Sequence, residues 1–225
     1  EPTRAEILAH LQIAENDAFI AGFDQTDLVA LMEKAEVTVG PIYDIGQIMV
    51  DPHVVEREIL AEGVVSGRSV RVIEEGETDD FLTFKGWYID LVSPVNNAEG
   101  ERMVVPNRFQ GLTLVGTTRI PDSTDVCNPS GRGFIMAIDP FTGGRLGSNF
   151  FDITGDGQVN TGDGLTVNGV LVPVSGVGFS SSPNNPIFVG SSMLVTFDDG
   201  STDTLGTSQG GLGVRRASWR EIIVQ

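Results

Sequence analysis

The sequence has little cysteine, histidine and lysine, and each scarcity excludes a class of protein. The single Cys among the 225 residues, Cys127, cannot form a disulfide within the chain. Two His residues leave no zinc signature of the usual His and Cys type. The sequence also lacks a serine nucleophile elbow and a phosphate-binding glycine loop. We therefore predict that the chain is not an enzyme.

Positive charge is scarce as well. The chain has 14 Lys and Arg residues against 31 Asp and Glu residues, which gives a net charge of −17. Nucleic-acid binders neutralise phosphates with Lys and Arg, so this balance argues against nucleic acid as a partner. It argues equally against docking on anionic membranes. What such a surface attracts is cations.

Long apolar runs are missing too. No run approaches the roughly 20 residues that span a bilayer, so we predict no transmembrane segment. The chain opens Glu-Pro-Thr without Met or a signal peptide, and we expect a mature product or a piece of a longer protein. Cys127 is then either an idle thiol or bonded to a Cys outside this sequence, and its pairing state stays open.

The hydrophobic pattern changes along the chain. A capping-box pattern at Thr3 and Glu6 predicts a first helix, Asp24 or Thr26 is placed to cap a second, and residues 53–62 predict a third that ends at Gly63. From residue 64 the period becomes two, which favours strands or hairpins over 64–73 and 86–91. We expect two domains: a helical or α+β segment over 1–80, either an insertion or a separate module, and a β-rich calcium-binding domain over 81–225.

The second part of the chain is predicted to be mainly β. Glycine, proline, asparagine and serine punctuate short apolar segments at the intervals of sandwiches and propellers. The predicted strands cover residues 102–105, 111–118, 134–138, 165–174, 186–189, 193–197 and 218–224. We predict a hairpin turn at Asp199 and Gly200, which also explains the acidic residues around it without a second metal site.

The segment over residues 146–214 contains no Lys or Arg, six Asp and no Glu. A segment with charge of one sign is poorly compacted unless something offsets that charge, and a bound cation is the simplest candidate. Within it, residues 152–163 match the 12-residue calcium loop, with Gly157 at the turn position. The candidate metal ligands are Asp152, Thr154, Asp156, Gln158, Asn160 and Asp163.

Hard oxygen donors of this kind suit Ca²⁺ rather than Zn²⁺. The match departs from a helix-loop-helix hand in two ways: position 12 is Asp163 rather than Glu, and no helical pattern precedes the loop. We therefore expect a calcium loop between strands, closer to the dockerin version. The alternative is an Asp-Gly turn with exposed carboxylates.

Several motifs resemble one family in both content and order. They are Gly86-Trp-Tyr-Ile-Asp-Leu91, Gly100-Glu-Arg-Met-Val-Val-Pro106, Gly116-Thr-Thr-Arg-Ile-Pro121, the run from Gly133 to Leu146, the 152–163 loop, Ser181-Ser-Pro-Asn-Asn-Pro-Ile187 and Ser218-Trp-Arg-Glu221. This pattern resembles the C-terminal region of PilY-type proteins, the tip-associated assembly factors and adhesins of bacterial type IV pili. The stretch from Ile135 to Gly143 also resembles a blade repeat of a quinoprotein-like β-propeller.

The resemblance implies a secreted protein whose modified β-propeller carries a calcium loop and is preceded here by the smaller helical segment. It implies a location at the pilus tip or bacterial cell surface, minor pilins as partners, and attachment to host or abiotic surfaces. The implied roles are pilus assembly, twitching motility and adhesion, regulated by calcium. Two alternatives stay open: a structural extracellular β-domain whose loop calcium only stabilises, and a quinoprotein-like enzyme.

Overall fold

Two capped helices form the described part of the first unit. The computed structural model describes residues 22–35, 44–77, 84–122 and 130–208. Helix α1 spans Gln25–Lys34 and α2 spans Ile45–Val50. The Asp24 carboxylate accepts the backbone N–H of Asp27 at 2.9 Å, which confirms Asp24 as the α1 cap.

The chain divides into two units, Glu1–Asp51 and Pro52–Gln225. The structure thus places the division at residue 51, and the predicted boundary at residue 80 falls within the second unit. Three sequence predictions lie outside the described residues: the first helix with its box at Thr3 and Glu6, the thiol of Cys127, and the strand over 218–224. No helix among the described residues is long and apolar enough to cross a membrane.

The second unit is built from β-strands. They are β1 (Val54–Arg57), β2 (Ile59–Val65), β3 (Arg68–Ile73), β4 (Gly86–Ile89), β5 (Arg108–Gln110), β6 (Thr113–Thr117), β7 (Ile120–Asp122), β8 (Ser130–Ile138), β9 (Leu165–Val167), β10 (Val170–Val172), β11 (Gly176–Phe179), β12 (Ile187–Val189), β13 (Ser192–Thr196) and β14 (Thr202–Gly206). The mainly β fold predicted from the sequence is confirmed.

These strands form four sheets. The largest is antiparallel in the order β2-β3-β11-β8-β6-β5, with β7 pairing β8 beyond the end of β6. Strands β12, β13 and β14 form an antiparallel meander, β9 and β10 a hairpin, and β1 pairs β4 in parallel. The predicted turn at Asp199 and Gly200 joins β13 to β14, where the Gly200 N–H donates to the Phe197 carbonyl at 3.0 Å. The propeller arrangement stays a prediction.

The predicted helix over 53–62 is wrong. These residues form β1 and the start of β2, and Ile59 pairs with Ile73 of β3. Gly63 ends no helix but lies within β2, where a Cβ would come 2.8 Å from Cδ1 of Leu165. Two adjacent apolar residues fit the helical period and the strand period alike, so hydrogen bonding to β3 decides the conformation. The predicted strand over 102–105 is also wrong, since only Arg102 makes a single bridge there, to Arg119.

The core of the second unit lies between the large sheet and the meander. Val70, Ile135 and Val177 face it from the large sheet, and Met193 and Leu205 face it from the meander. The rings of two adjacent phenylalanines, Phe150 and Phe151, fill its centre and have no exposed surface. The 152–163 loop begins at the next residue, so the core fixes its starting point.

Candidate metal-binding loop

The 152–163 loop is anchored where it leaves the core. The rings of Phe150 and Phe151 meet edge to face with centroids 5.0 Å apart. The Asp152 N–H donates to the Gly206 carbonyl at 2.9 Å, and the Ser208 N–H donates to the Phe150 carbonyl at 2.7 Å. The end of β14 and the residues after it therefore hold the first residue of the loop against the meander.

The Asp152 carboxylate organises the first half of the loop. Its Oδ1 accepts the Gly155 N–H at 2.8 Å and its Oδ2 accepts the Gly157 N–H at 2.9 Å. Both glycines have positive φ, 72° and 82°, which side chains disfavour. The chain therefore wraps around this carboxylate, as the predicted turn at Gly157 requires.

The Asp163 carboxylate closes the second half. It lies at the end of a 3₁₀-helix over Thr161–Asp163 and is fully buried. Its Oδ2 accepts the Asn160 N–H at 2.8 Å, and its Oδ1 accepts the Thr154 N–H at 2.9 Å. The Thr154 hydroxyl donates to the same Oδ1 at 3.0 Å and lies 3.4 Å from Oδ1 of Asp152. Thr154 thus joins the first and last residues of the loop.

The other three predicted ligands lie on the exposed side of the loop. Oδ1 of Asp156 accepts the Gln158 N–H at 2.8 Å, and Oδ2 lies 3.4 Å from the Asn160 amide nitrogen. The Gln158 side chain is exposed. Among residues 22–35, 44–77, 84–122 and 130–208, no three Asp, Glu, His or Cys groups meet closely enough to hold an ion. The structure therefore brings together Asp152, Thr154 and Asp163 and leaves Asp156 facing its own turn.

The charges of the two buried carboxylates are not balanced by side chains. Asp152 is 4% exposed and Asp163 is 0% exposed. No Arg, Lys or His among the described residues pairs with either, and their donors are backbone N–H groups and one hydroxyl. Burying a charged group without a partner of opposite charge costs several kcal/mol. An oxygen-rich loop with two such carboxylates fits a hard divalent cation.

One residue that positions the loop escaped the sequence analysis. The Asn149 amide donates to the Asn160 carbonyl at 2.7 Å, and its oxygen accepts the Val174 N–H at 2.9 Å. Asn149 therefore ties the second half of the loop to the segment between β10 and β11. Its partners lie 11 and 25 residues away, so no local pattern marks it.

Comparison with known proteins finds relatives in one system. No family model matches the chain. A type IV pilus biogenesis factor PilY1 homolog of Xylella fastidiosa is 51% identical over 167 residues, which are 74% of this chain and 13% of that protein. This chain is a homologue of the PilY1 proteins. The PilY1 of Pseudomonas aeruginosa is 25% identical over 116 residues, 49% of this chain and 10% of that protein.

The fold comparison agrees. The crystal structure of the Pseudomonas aeruginosa PilY1 C-terminal domain superposes with a TM-score of 0.56 at 19% identity, covering 78% of this chain and 34% of that one. The resemblance to the C-terminal region of PilY-type proteins is therefore confirmed. The chain spans 13% or less of the curated relatives described above, which are named as pilus biogenesis factors rather than as enzymes.

Proposed function

We propose that this chain is the calcium-binding C-terminal part of a type IV pilus tip-associated protein. It acts outside the cell, at the pilus tip or cell surface, and promotes pilus assembly, twitching motility and adhesion to host or abiotic surfaces. It contacts minor pilins and catalyses no reaction. The names of its relatives support the pilus context.

One observation carries the calcium part of the proposal. Asp152 and Asp163 are buried in one loop, joined through Thr154, and have no basic partner in the described part of the chain. A second observation agrees with it. Elsewhere in the same basic-free segment, Asp198 and Asp203 do receive arginines, Arg119 at 3.0 Å and Arg68 at 2.7 Å.

The loop residues have separable roles in this proposal. Asp152 and Asp163 would hold the ion together with Thr154, Asp156, Gln158 and Asn160. Bound Ca²⁺ balances the negative charge of these two buried carboxylates. Gly155 and Gly157 keep the first turn tight around Asp152, and Asn149 holds Asn160 in place. The loop then forms a fixed surface beside β9 and β10, and a partner can bind to this surface.

Calcium titration calorimetry tests the site. We expect the wild-type chain to bind one Ca²⁺ with a dissociation constant on the order of 10⁻⁴–10⁻³ M, as in other extracellular modules. Asp152→Asn and Asp163→Asn remove one ligand charge each without changing shape, and we expect both to abolish measurable binding. Asp199→Asn is the matched control, since Asp199 is an exposed turn residue of the same segment. Unchanged calcium uptake by Asp152→Asn would contradict the assignment.

A binding experiment tests the pilus role. The immobilised chain is offered the minor pilins of the same bacterium in calcium or in chelator. We expect capture in calcium and at least tenfold less in chelator or with Asp163→Asn. Equal capture in both conditions would mean that calcium only stabilises the loop. No capture in either condition would overturn minor pilins as the partner.

A further inference from the structure

A cavity lies where β1, β4 and the turn after β8 meet. Its volume is about 240 Å³. Its walls, among the residues that the structure describes, include two basic side chains and three aromatic rings: Arg57, Lys85, Phe84, Trp87 and Phe141. On a chain with a net charge of −17, a cavity whose charged lining residues, in the described ranges, are both basic is unexpected.

The aromatic wall is fixed before any ligand arrives. The Trp87 indole Nε1 donates to the Pro140 carbonyl at 2.9 Å. Gly143, with φ of 70°, lies against the same ring, and a Cβ at that position would come 2.3 Å from Cδ2 of Trp87. The turn itself is held by Asp139, whose Oδ1 accepts the Phe141 N–H at 2.7 Å. The ring therefore has one face against backbone and a set orientation at the cavity.

Hydrogen bonds to backbone carbonyls also hold the two basic residues. Arg57 is 5% exposed, and its Nε donates to the Thr142 carbonyl at 2.9 Å. Its Nη1 lies 3.8 Å from the carboxylate of Glu74, which is 43% exposed. The Lys85 N–H donates to the His53 carbonyl at 2.7 Å, which holds the backbone of this residue in place. Lys85 itself is exposed and forms no ion pair with any carboxylate in the described ranges.

We propose that this cavity binds a small molecule that carries one carboxylate on a six-membered ring. Lys85 provides the positive charge for the carboxylate, and the buried Arg57 forms part of the wall beside it. Trp87 and Phe141 provide faces on which a ring stacks. The cavity is smaller than the roughly 300–1,000 Å³ of drug-sized sites, which limits the ligand to about one ring.

The rest of the molecule restricts the ligand further. A net charge of −17 repels polyanions as they approach. A phosphate chain or nucleic acid is therefore disfavoured as a ligand, whereas this repulsion lowers the affinity of a ligand with a single carboxylate only slightly. Aromatic acids and acidic sugars share this chemistry, and separate probes distinguish them. The proposal does not depend on calcium in the 152–163 loop.

Fluorescence titration of the full chain tests the site, with chelator present to keep the loop out of the measurement. The sequence contains two tryptophans, so a Trp219→Phe background makes Trp87 the reporter. The probes are phenylacetate, glucuronate and the neutral phenylacetamide. We expect saturable changes with at least one carboxylate and weaker binding of phenylacetamide. Saturation by glucuronate alone identifies an acidic sugar, and saturation by phenylacetate alone identifies an aromatic acid.

Lysine variants supply a matched comparison, because the chain has two lysines and both are exposed. Lys85→Gln should weaken carboxylate binding about fivefold, since an exposed charge pair contributes up to about 1 kcal/mol. Lys34→Gln makes the same change in net charge on α1 and should bind as the parent does. Equal affinities of the two variants, phenylacetamide binding as well as phenylacetate, or no saturable response to either carboxylate would overturn the proposal.

Discussion

At the scale of single residues, the positions of glycine and aspartate decide the shape of the 152–163 loop. Gly155 and Gly157 have φ of 72° and 82°, a conformation that costs other residues about 1–2 kcal/mol each. Each donates its N–H to the Asp152 carboxylate. The register of the loop motif predicted the Gly157 turn, whereas the joining of Asp152 to Asp163 through Thr154 appears only in the structure.

The Arg68–Asp203 pair gives a prediction at the same scale. Burial raises the pKa of Asp203, but the hydrogen bond from Arg68 and its charge outweigh burial, so the pKa is lowered. Because the pKa of Asp203 is lower in the folded state, the ionised carboxylate stabilises the fold at pH values above the ordinary pKa of Asp, about 3.9. This contribution is lost as the pH falls.

We therefore expect Asp203→Asn to lower the free energy of unfolding at pH 7 by about 0.2–1 kcal/mol, because the pair is partly exposed. The difference from wild type should close below about pH 4. Urea unfolding at a series of pH values measures it, with exposed Asp90→Asn as the control. A difference that stays constant down to pH 2 would show that the pair does not act through this ionisation.

At the scale of elements, hydrogen-bond pairing overrode the local pattern at the start of the second unit. Residues 53–62 carry apolar pairs that fit a helix, yet they form β1 and the start of β2 because β3 and β4 offer their edges. The predicted strand or hairpin over 64–73 was confirmed as the hairpin of β2 and β3, and the strand over 193–197 as β13, because period-two patterning and turn residues agreed there. Where local and long-range preferences differ, as over residues 53–62, strand pairing decides the conformation.

The tie between the loop and its neighbouring segment gives a prediction for elements. Asn149→Ala removes the donor to the Asn160 carbonyl and leaves the buried Val174 N–H without its acceptor. An unsatisfied buried group costs about 1–3 kcal/mol, so we expect a loss of that size in the free energy of unfolding. We also expect weaker calcium binding in calorimetry.

Thr166→Ala on β9 is the control for this change, since Thr166 is exposed and its loss should shift stability by less than about 0.5 kcal/mol. If Asn149→Ala destabilises the chain no more than the control does, the Asn149 hydrogen bonds do not hold the loop.

At the scale of the whole molecule, the distribution of charge matters more than its total. Residues 146–214 supply no basic side chain, so any basic partner for their aspartates comes from elsewhere in the chain. Arg68 reaches Asp203 and Arg119 reaches Asp198, while no described basic residue pairs with Asp152 or Asp163. The presence or absence of an arginine partner therefore distinguishes the aspartates that form ion pairs from these two candidate metal ligands.

The sequence by itself determined the mainly β character, the family resemblance and the register of the loop motif, because these depend on residue types at short, fixed spacings. Only the tertiary structure decided which carboxylates are buried, which receive an arginine and where Arg57 and Lys85 share a cavity. Arg68 and Asp203 lie 135 residues apart, and Arg57 lies 85 residues from Thr142, which orients it. Contacts over such separations form when strands pair and pack, so no local spacing in the sequence encodes them.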